Sequence, residues 1–222
     1  VTGPLIDIKP RAGGRAAPPS EHASRTLWAL DPFTNDDIAL RGVLVHECFR
    51  EVRSIDDLAD AASRAKLIEG ARRRAASEKG HPISDDLAGG VASMLATIVE
   101  KRGEAGSIAK SLEVRGDSGS TRVLTELGFV REVNGALING RIDRLVLSLR
   151  DGAPIGATII DFKTGAENVT PEQLNDKIAA YREQLSAYGD AVAEMFTIPR
   201  ESVRLELLFV DRGEVVELSA GR

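Results

Sequence analysis

Gly140-Arg-Ile-Asp-Arg-Leu145 and Thr158-Ile-Ile-Asp-Phe-Lys-Thr-Gly165 each carry one aspartate where an apolar residue is the default. Both stretches read as short β-strands. By the two-residue period of a strand, Ile159, Asp161 and Lys163 share one face of the second, while Ile160 and Phe162 share the other. A carboxylate and an ammonium therefore stand side by side among apolar neighbours, where an unpaired charge is costly. Such a pair is either a structural ion pair or part of a site that binds a metal and a charged substrate.

The surroundings of these stretches set the fold class. Val123 to Val133, Ala136 to Leu149 and Ala157 to Phe162 are rich in Val, Ile and Leu. Asn134-Gly135 is a strong hairpin signal, and Asp151-Gly152 followed by Pro154 is a second turn. The three runs predict an antiparallel meander, with Glu126 an acid near the start of its first strand. Downstream, Thr170-Pro171-Glu172 opens a helix reaching about Phe196, with Pro171 in its first turn. Ile178, Leu185, Val192 and Phe196 form its inward stripe, and Tyr181, Gln184 and Tyr188 share another face. Tyr181 reads as a packing residue. Val203 to Val210 and Glu214 to Leu218 read as two strands around an Asp211-Arg212-Gly213 hairpin.

Upstream the pattern is helical. Ile38 to about Val52 places Val45, Phe49 and Val52 at helical spacing, with His46 beside that stripe. Asp36 or Asp37 is a possible cap for this helix. Ser54 to Lys79 reads as a second helical region, opened by an imperfect Ser54–Asp57 capping box. Arg72, Arg73 and Arg74 in it suggest a solvated basic face or a phosphate contact. Gly80 to Arg102 holds a third helix, with Leu87, Val91, Met94 or Leu95, and Ile98 inward. Ile108 to Val114 fits a short helix or an edge strand. Helices, strands, one helix, then strands imply an α/β or α+β domain with a central mixed sheet.

Residues 1–24 hold Pro4, Pro10, Pro18, Pro19 and Gly13-Gly14, which is linker composition. With no initiator Met, they suggest a tether from a preceding domain in a longer protein, a tag remnant or a cleaved leader. Residues 25–222 then form the folded domain, with Trp28, Leu30 and Phe33 an apolar arm at its start. No apolar run approaches the roughly 18 residues of a membrane span, and the start has no secretory pattern. The single Cys48 reads as a small buried hydrophobe and excludes a four-cysteine iron–sulfur or zinc site built by this chain alone. A cytoplasmic location is the default expectation. The net charge of −5 argues against a basic nucleic-acid coat protein. It is compatible with an enzyme that meets phosphates through metal ions, because such a site is built of carboxylates.

Asp143 and Asp161, from neighbouring strands, make a plausible site for a hard divalent cation. A third ligand could come from His46 or Glu126; His46 suits Mn²⁺ better than Mg²⁺. Lys163 would hold an attacking water or balance developing negative charge. Gln184 and Tyr188 would position substrate. His22 and His81 read as solvated.

In serial order, Gly42-Val-Leu-Val-His46, Gly140-Arg-Ile-Asp143, Asp161-Phe-Lys-Thr-Gly165 and Gln184-Leu-Ser-Ala-Tyr188 resemble the motifs of the RecB-like branch of the PD-(D/E)xK nucleases. The match runs from about Trp28 to Leu218, and its layout is most similar to the C-terminal nuclease domain of AddA-type helicase–nucleases. The resemblance implies a restriction-endonuclease-like α/β core, a mixed sheet flanked by helices, with an N-terminal helical portion. It implies Mg²⁺- or Mn²⁺-dependent hydrolysis of DNA phosphodiesters, with exonuclease action expected. It implies DNA-end processing in double-strand-break repair, a helicase in the full-length chain and a possible second subunit. Carried over by motif, His46, Asp143 and Asp161 match metal ligands, joined by the Phe162 backbone carbonyl. Lys163 matches the catalytic lysine, and Gln184 and Tyr188 the helix motif. Glu126 corresponds to an acid preceding the second motif. Relatives with an iron–sulfur cluster are disfavoured. A catalytically silent DNA-binding or interaction domain on the same fold, or a stand-alone exonuclease, is the alternative reading.

Overall fold

The computed structural model describes residues 36–80, 82–104, 107–112, 120–133 and 136–218. The expectations for residues 1–24, the apolar arm, His22, His81 and the Asn134-Gly135 turn lie outside the described residues.

Among the described residues four helices precede the sheet: α1 (Asp36–Phe49), α2 (Ala61–Lys79), α3 (Asp85–Glu100) and the short α4 (Ile108–Leu112). Asp36 and Asp37 thus fall in the first turn of α1 rather than before it. The helical region from Ser54 to Lys79 is built of two elements. Asp57 turns back to accept the N–H groups of Arg53 (2.6 Å) and Ser54 (2.9 Å), which closes a single 3-10 turn, Ile55–Leu58. Asp60 then caps α2 afresh by accepting the Ser63 N–H at 2.9 Å.

The arginine cluster is not a solvated face. Arg74 donates to the Glu47 carboxylate (3.0 Å) and carbonyl (2.6 Å), tying α2 to α1. Arg72 donates to the Ile83 carbonyl and pairs with Asp85, both at 2.9 Å. Arg73 alone stays on the surface, near Glu69. These internal partners take up the charge that a phosphate would have needed.

The sheet contains β1 (Ser120–Val133), β2 (Ala136–Arg150), β3 (Ala153–Lys163), β4 (Val203–Phe209) and β5 (Glu214–Leu218), in that spatial order. Pairing is antiparallel throughout except between β3 and β4, so the sheet is mixed. A parallel pair needs a crossover, which is α5 (Pro171–Phe196). Its start is fixed reciprocally: Thr170 Oγ1 accepts the Gln173 N–H, and Gln173 Oε1 accepts the Thr170 N–H. β3 begins earlier than expected. Pro154 pairs within the strand rather than ending a turn, and the register shifts beside it, which accommodates a residue that has no N–H to give.

Both faces of the sheet are covered. Leu44, Phe49 and Leu95 of the N-terminal helices pack on Ile160, Phe162 and Leu208. Leu185 and Val192 of α5 pack on Ile159, Leu205 and Leu207. The alternation in β3 therefore sends Phe162 under α1, stacked on Phe49 at 4.2 Å between ring centroids, and turns Asp161 and Lys163 to the α5 face. Cys48 is fully buried, and that burial pushes its thiol up to about 12. Among the described residues no helix is long and apolar enough to cross a membrane.

Candidate functional site

The sheet opens at the two aspartates. Pairing of β2 with β3 runs from Arg150–Ala153 up to Arg144–Ile160 and stops. Beyond that point β2 stays with β1, and β3 stays with β4. Into the gap the Phe162 N–H donates to Asp143 Oδ2 at 2.9 Å, a side chain replacing a ladder partner. On the other edge of β3 the Lys163 carbonyl accepts from Val210 N–H at 2.9 Å. Successive residues of a strand alternate the edge to which their N–H and C=O point, so the Phe162 carbonyl faces the gap.

From α1, His46 brings Nδ1 to 3.3 Å from Asp143 Oδ1. Gly42, one turn earlier, lets α1 come close to the end of β3: a Cβ there would lie 3.3 Å from Thr164 Oγ1. From β1, Glu126 adopts a positive φ of 54° and interrupts the β1–β2 ladder opposite Asp143. Ligating atoms of His46, Glu126 and Asp143 all lie within 4.8 Å of one another. Glu126 also accepts from Arg141 at 3.2 Å.

Asp161 stands outside that trio. Its Oδ2 lies 2.6 Å from Lys163 Nζ. The contact is an ion pair without hydrogen-bond alignment, so this buried oxygen has no directed donor. Lys163 in turn lies 4.4 Å from the Tyr181 ring centroid. The sequence singled out Asp143 and Asp161, with His46 or Glu126 as a third ligand. The geometry draws both His46 and Glu126 to Asp143 and joins Asp161 to Lys163.

Charge and burial compete at each group. Burial pushes Asp161 up, and the Lys163 ammonium opposes this without reversing it. Burial also pushes Asp143 up, but His46, then Lys163 and the Phe162 amide hold it below the usual carboxylate value. Burial pulls His46 down, and Asp143 more than offsets it, leaving the imidazole raised. Burial likewise opposes the Lys163 charge, and Asp161 outweighs it, so the ammonium is held firmly charged.

On α5, Gln184 Nε2 donates to Tyr188 Oη at 2.8 Å. Tyr188 meets Phe129 edge to face at 5.2 Å. Both rings cross Gly140, where a Cβ would come within 2.6 Å of Phe129 and 2.8 Å of Tyr188.

Two residues acquire a place here that their sequence context did not reveal. Tyr181 packs in the core as expected, yet its ring also meets Lys163; its sharing of a face with Gln184 and Tyr188 was the signal. Arg144 is fully buried and donates to the Val52 and Arg53 carbonyls, each at 2.6 Å. It pins the chain after α1 to β2 and so holds the His46 helix against Asp143. Burial lowers this guanidinium to about 10. Its signal was a cation inside an apolar strand.

The donors fit a hard divalent cation: carboxylate oxygens, one of them buried without a directed donor, and one imidazole. Asp143, His46, Glu126 and Asp161 are the residues that could hold it.

A family model described as the PD-(D/E)XK nuclease superfamily matches residues 21–220. No curated protein matches. Among solved structures, one titled "Crystal structure of SSO0001" is similar at 17% identity over 76% of this chain and 67% of that chain, with a TM-score of 0.31. That likeness is too distant to bear on the site.

Proposed function

The chain belongs to the PD-(D/E)XK nuclease superfamily, and from that premise we propose that it is a metal-dependent deoxyribonuclease acting at the gap between β2 and β3. The observation that carries this reading is the meeting of Asp143, His46 and Glu126 where the sheet opens, beside the buried Asp161–Lys163 pair. His46, Asp143, Asp161 and the Phe162 carbonyl would hold Mg²⁺ or Mn²⁺, with Glu126 an additional oxygen ligand. When bound, the cation supplies Lewis-acid polarisation of a phosphoryl oxygen and a more acidic water.

In the cation-free site Asp161 holds Lys163 protonated, so the side chain is present there as a fixed cation. Its ammonium would orient the attacking water or offset charge building on the phosphate. Tyr181 braces it from beneath. Gln184 and Tyr188 would position the strand from α5. Within the superfamily, the order of the His46, Asp143, Asp161–Lys163 and Gln184–Tyr188 motifs supports a RecB-like exonuclease of the AddA type. Such an enzyme would be cytoplasmic, process DNA ends in break repair, and work with a helicase and a second subunit.

The test is cleavage of labelled single- and double-stranded DNA with Mg²⁺, Mn²⁺ or EDTA. Wild type should cleave only with a cation, and Asp161→Ala should abolish cleavage. Lys163→Ala should lose about 10²–10³-fold in rate, the usual effect of removing one charge-stabilising donor. Cleavage that survives both substitutions would overturn the site. A wild type that cuts no DNA yet binds Mn²⁺ by calorimetry, with that binding lost in Asp161→Ala, would favour a nuclease that needs its helicase; no Mn²⁺ binding at all would favour the silent domain.

A further inference from the structure

A groove of about 580 Å³ runs along β1 from Arg122 to Gly128, with Arg53 on its other wall. It continues to Glu126, which belongs to the trio at the sheet opening. β1 is an edge of the sheet as described, so one side of this strand has no ladder partner there. Arg53 and Arg122 are both exposed, and among the described residues neither guanidinium has an ion pair or a hydrogen bond. Most other arginines near the site are already engaged: Arg144 by carbonyls, Arg141 by Glu126, Arg74 by Glu47.

The Arg53 backbone is nonetheless fixed. Its N–H donates to Asp57 and its carbonyl accepts from Arg144, both at 2.6 Å. A rigid mount thus carries a free cationic head. In a chain of net charge −5, two unpaired guanidinium groups facing one groove are a local exception that calls for an anion. Guanidinium matches phosphate in geometry and charge. Among the described residues the groove walls include Val123 and Leu124 but no aromatic ring, so those residues offer no platform for base stacking. The depression lies open along the β1 edge, where a single flexible strand can follow it.

We infer that this groove is the track of a single DNA strand, held by its phosphates on Arg53 and Arg122 and led by β1 to the Glu126 end of the site. The inference rests on the nuclease reading for the identity of the strand, but strand binding itself needs no cation. Recognition is electrostatic and independent of base sequence.

The experiment measures binding of a fluorescent single-stranded oligothymidylate by anisotropy, in EDTA, across a salt series. The proteins are wild type, Arg53→Ala, Arg122→Ala, the double variant, and Arg150→Ala as an exposed arginine away from the groove. Each phosphate contact to a single strand contributes a slope of about 0.7 in log affinity against log salt. Each groove substitution should weaken binding several-fold and reduce the slope by about that amount; Arg150→Ala should change neither. Wild-type affinity and slope in the double variant would overturn the track, as would an equal loss in Arg150→Ala. The nuclease reading fails separately: loss of slope in the groove variants, with no cation-dependent cleavage by any protein, would leave the track standing and remove the catalysis.

Discussion

Asp143 has two partners that cannot both persist unchanged if it holds a cation as proposed. It pairs with His46 and accepts the Phe162 amide. In the proposed site a cation held by His46 needs the neutral imidazole, so it would compete with the His46 proton. The folded His46 value lies above 6.5. In the cation-free protein its contribution to stability is therefore fully present below 6.5 and is lost as pH rises through the folded value. Asp143 has the opposite sign: its folded value lies below 3.8, so its contribution is present above 3.8 and is lost as pH falls through the depressed value. Mn²⁺ affinity should accordingly rise with pH above 6.5 and level off once the His46 proton is gone. Calorimetry in buffers of different ionisation enthalpy should show proton release on the rising part. His46→Gln should bind more weakly, with a flatter dependence. An affinity that is level across neutral pH in the wild type would mean that His46 is not displaced from its proton by the cation.

At the scale of elements, the site is made by interruptions: a positive φ at Glu126, a ladder that stops at Arg144–Ile160, and a helix crossing at Gly140. Gly140→Ala would drive a methyl into the Phe129 and Tyr188 rings. Such overpacking costs about 1–3 kcal/mol, read as a lower denaturation midpoint at unchanged slope. Because Tyr188 carries the bond to Gln184, cleavage should fall as well. Trimming Phe129 to Leu in the same chain should restore part of both, since it is one of the two rings in the way; no recovery would place the strain elsewhere. The α5 start was legible because Thr170, Pro171 and Gln173 carry their partners within one turn. The facing of β3 was legible because a two-residue period decides it locally. The break after the Ser54 turn was missed because Asp60 competes with Asp57 to begin a helix. The opening of the sheet was not legible: it depends on which neighbour each strand keeps, and nothing in Asp143 or Asp161 alone encodes that. The same holds for Arg72 and Arg74, whose partners lie on other elements.

For the whole molecule, charge sets the terms of encounter with DNA. At a net charge of −5 the chain has no long-range attraction for a polyanion, and its cationic groups act only at contact. Chemistry at the gap depends on short-range geometry, whereas delivery depends on how often a strand enters. A strand brought by a neighbouring module changes delivery alone: a short flexible linkage raises the local concentration to the millimolar range. Fusing a single-strand-binding module ahead of the chain should therefore raise kcat/KM for a single-stranded substrate strongly while leaving kcat unchanged. Added salt should lower kcat/KM of the unfused chain more than kcat, because screening weakens capture before it touches the Asp161–Lys163 pair at 2.6 Å. Steady-state kinetics of the fused and unfused proteins over a salt series separate these terms. If kcat rises with the fusion, the module is assembling the site and not only feeding it, and the helicase proposed to accompany this domain would then be a structural part of the catalyst.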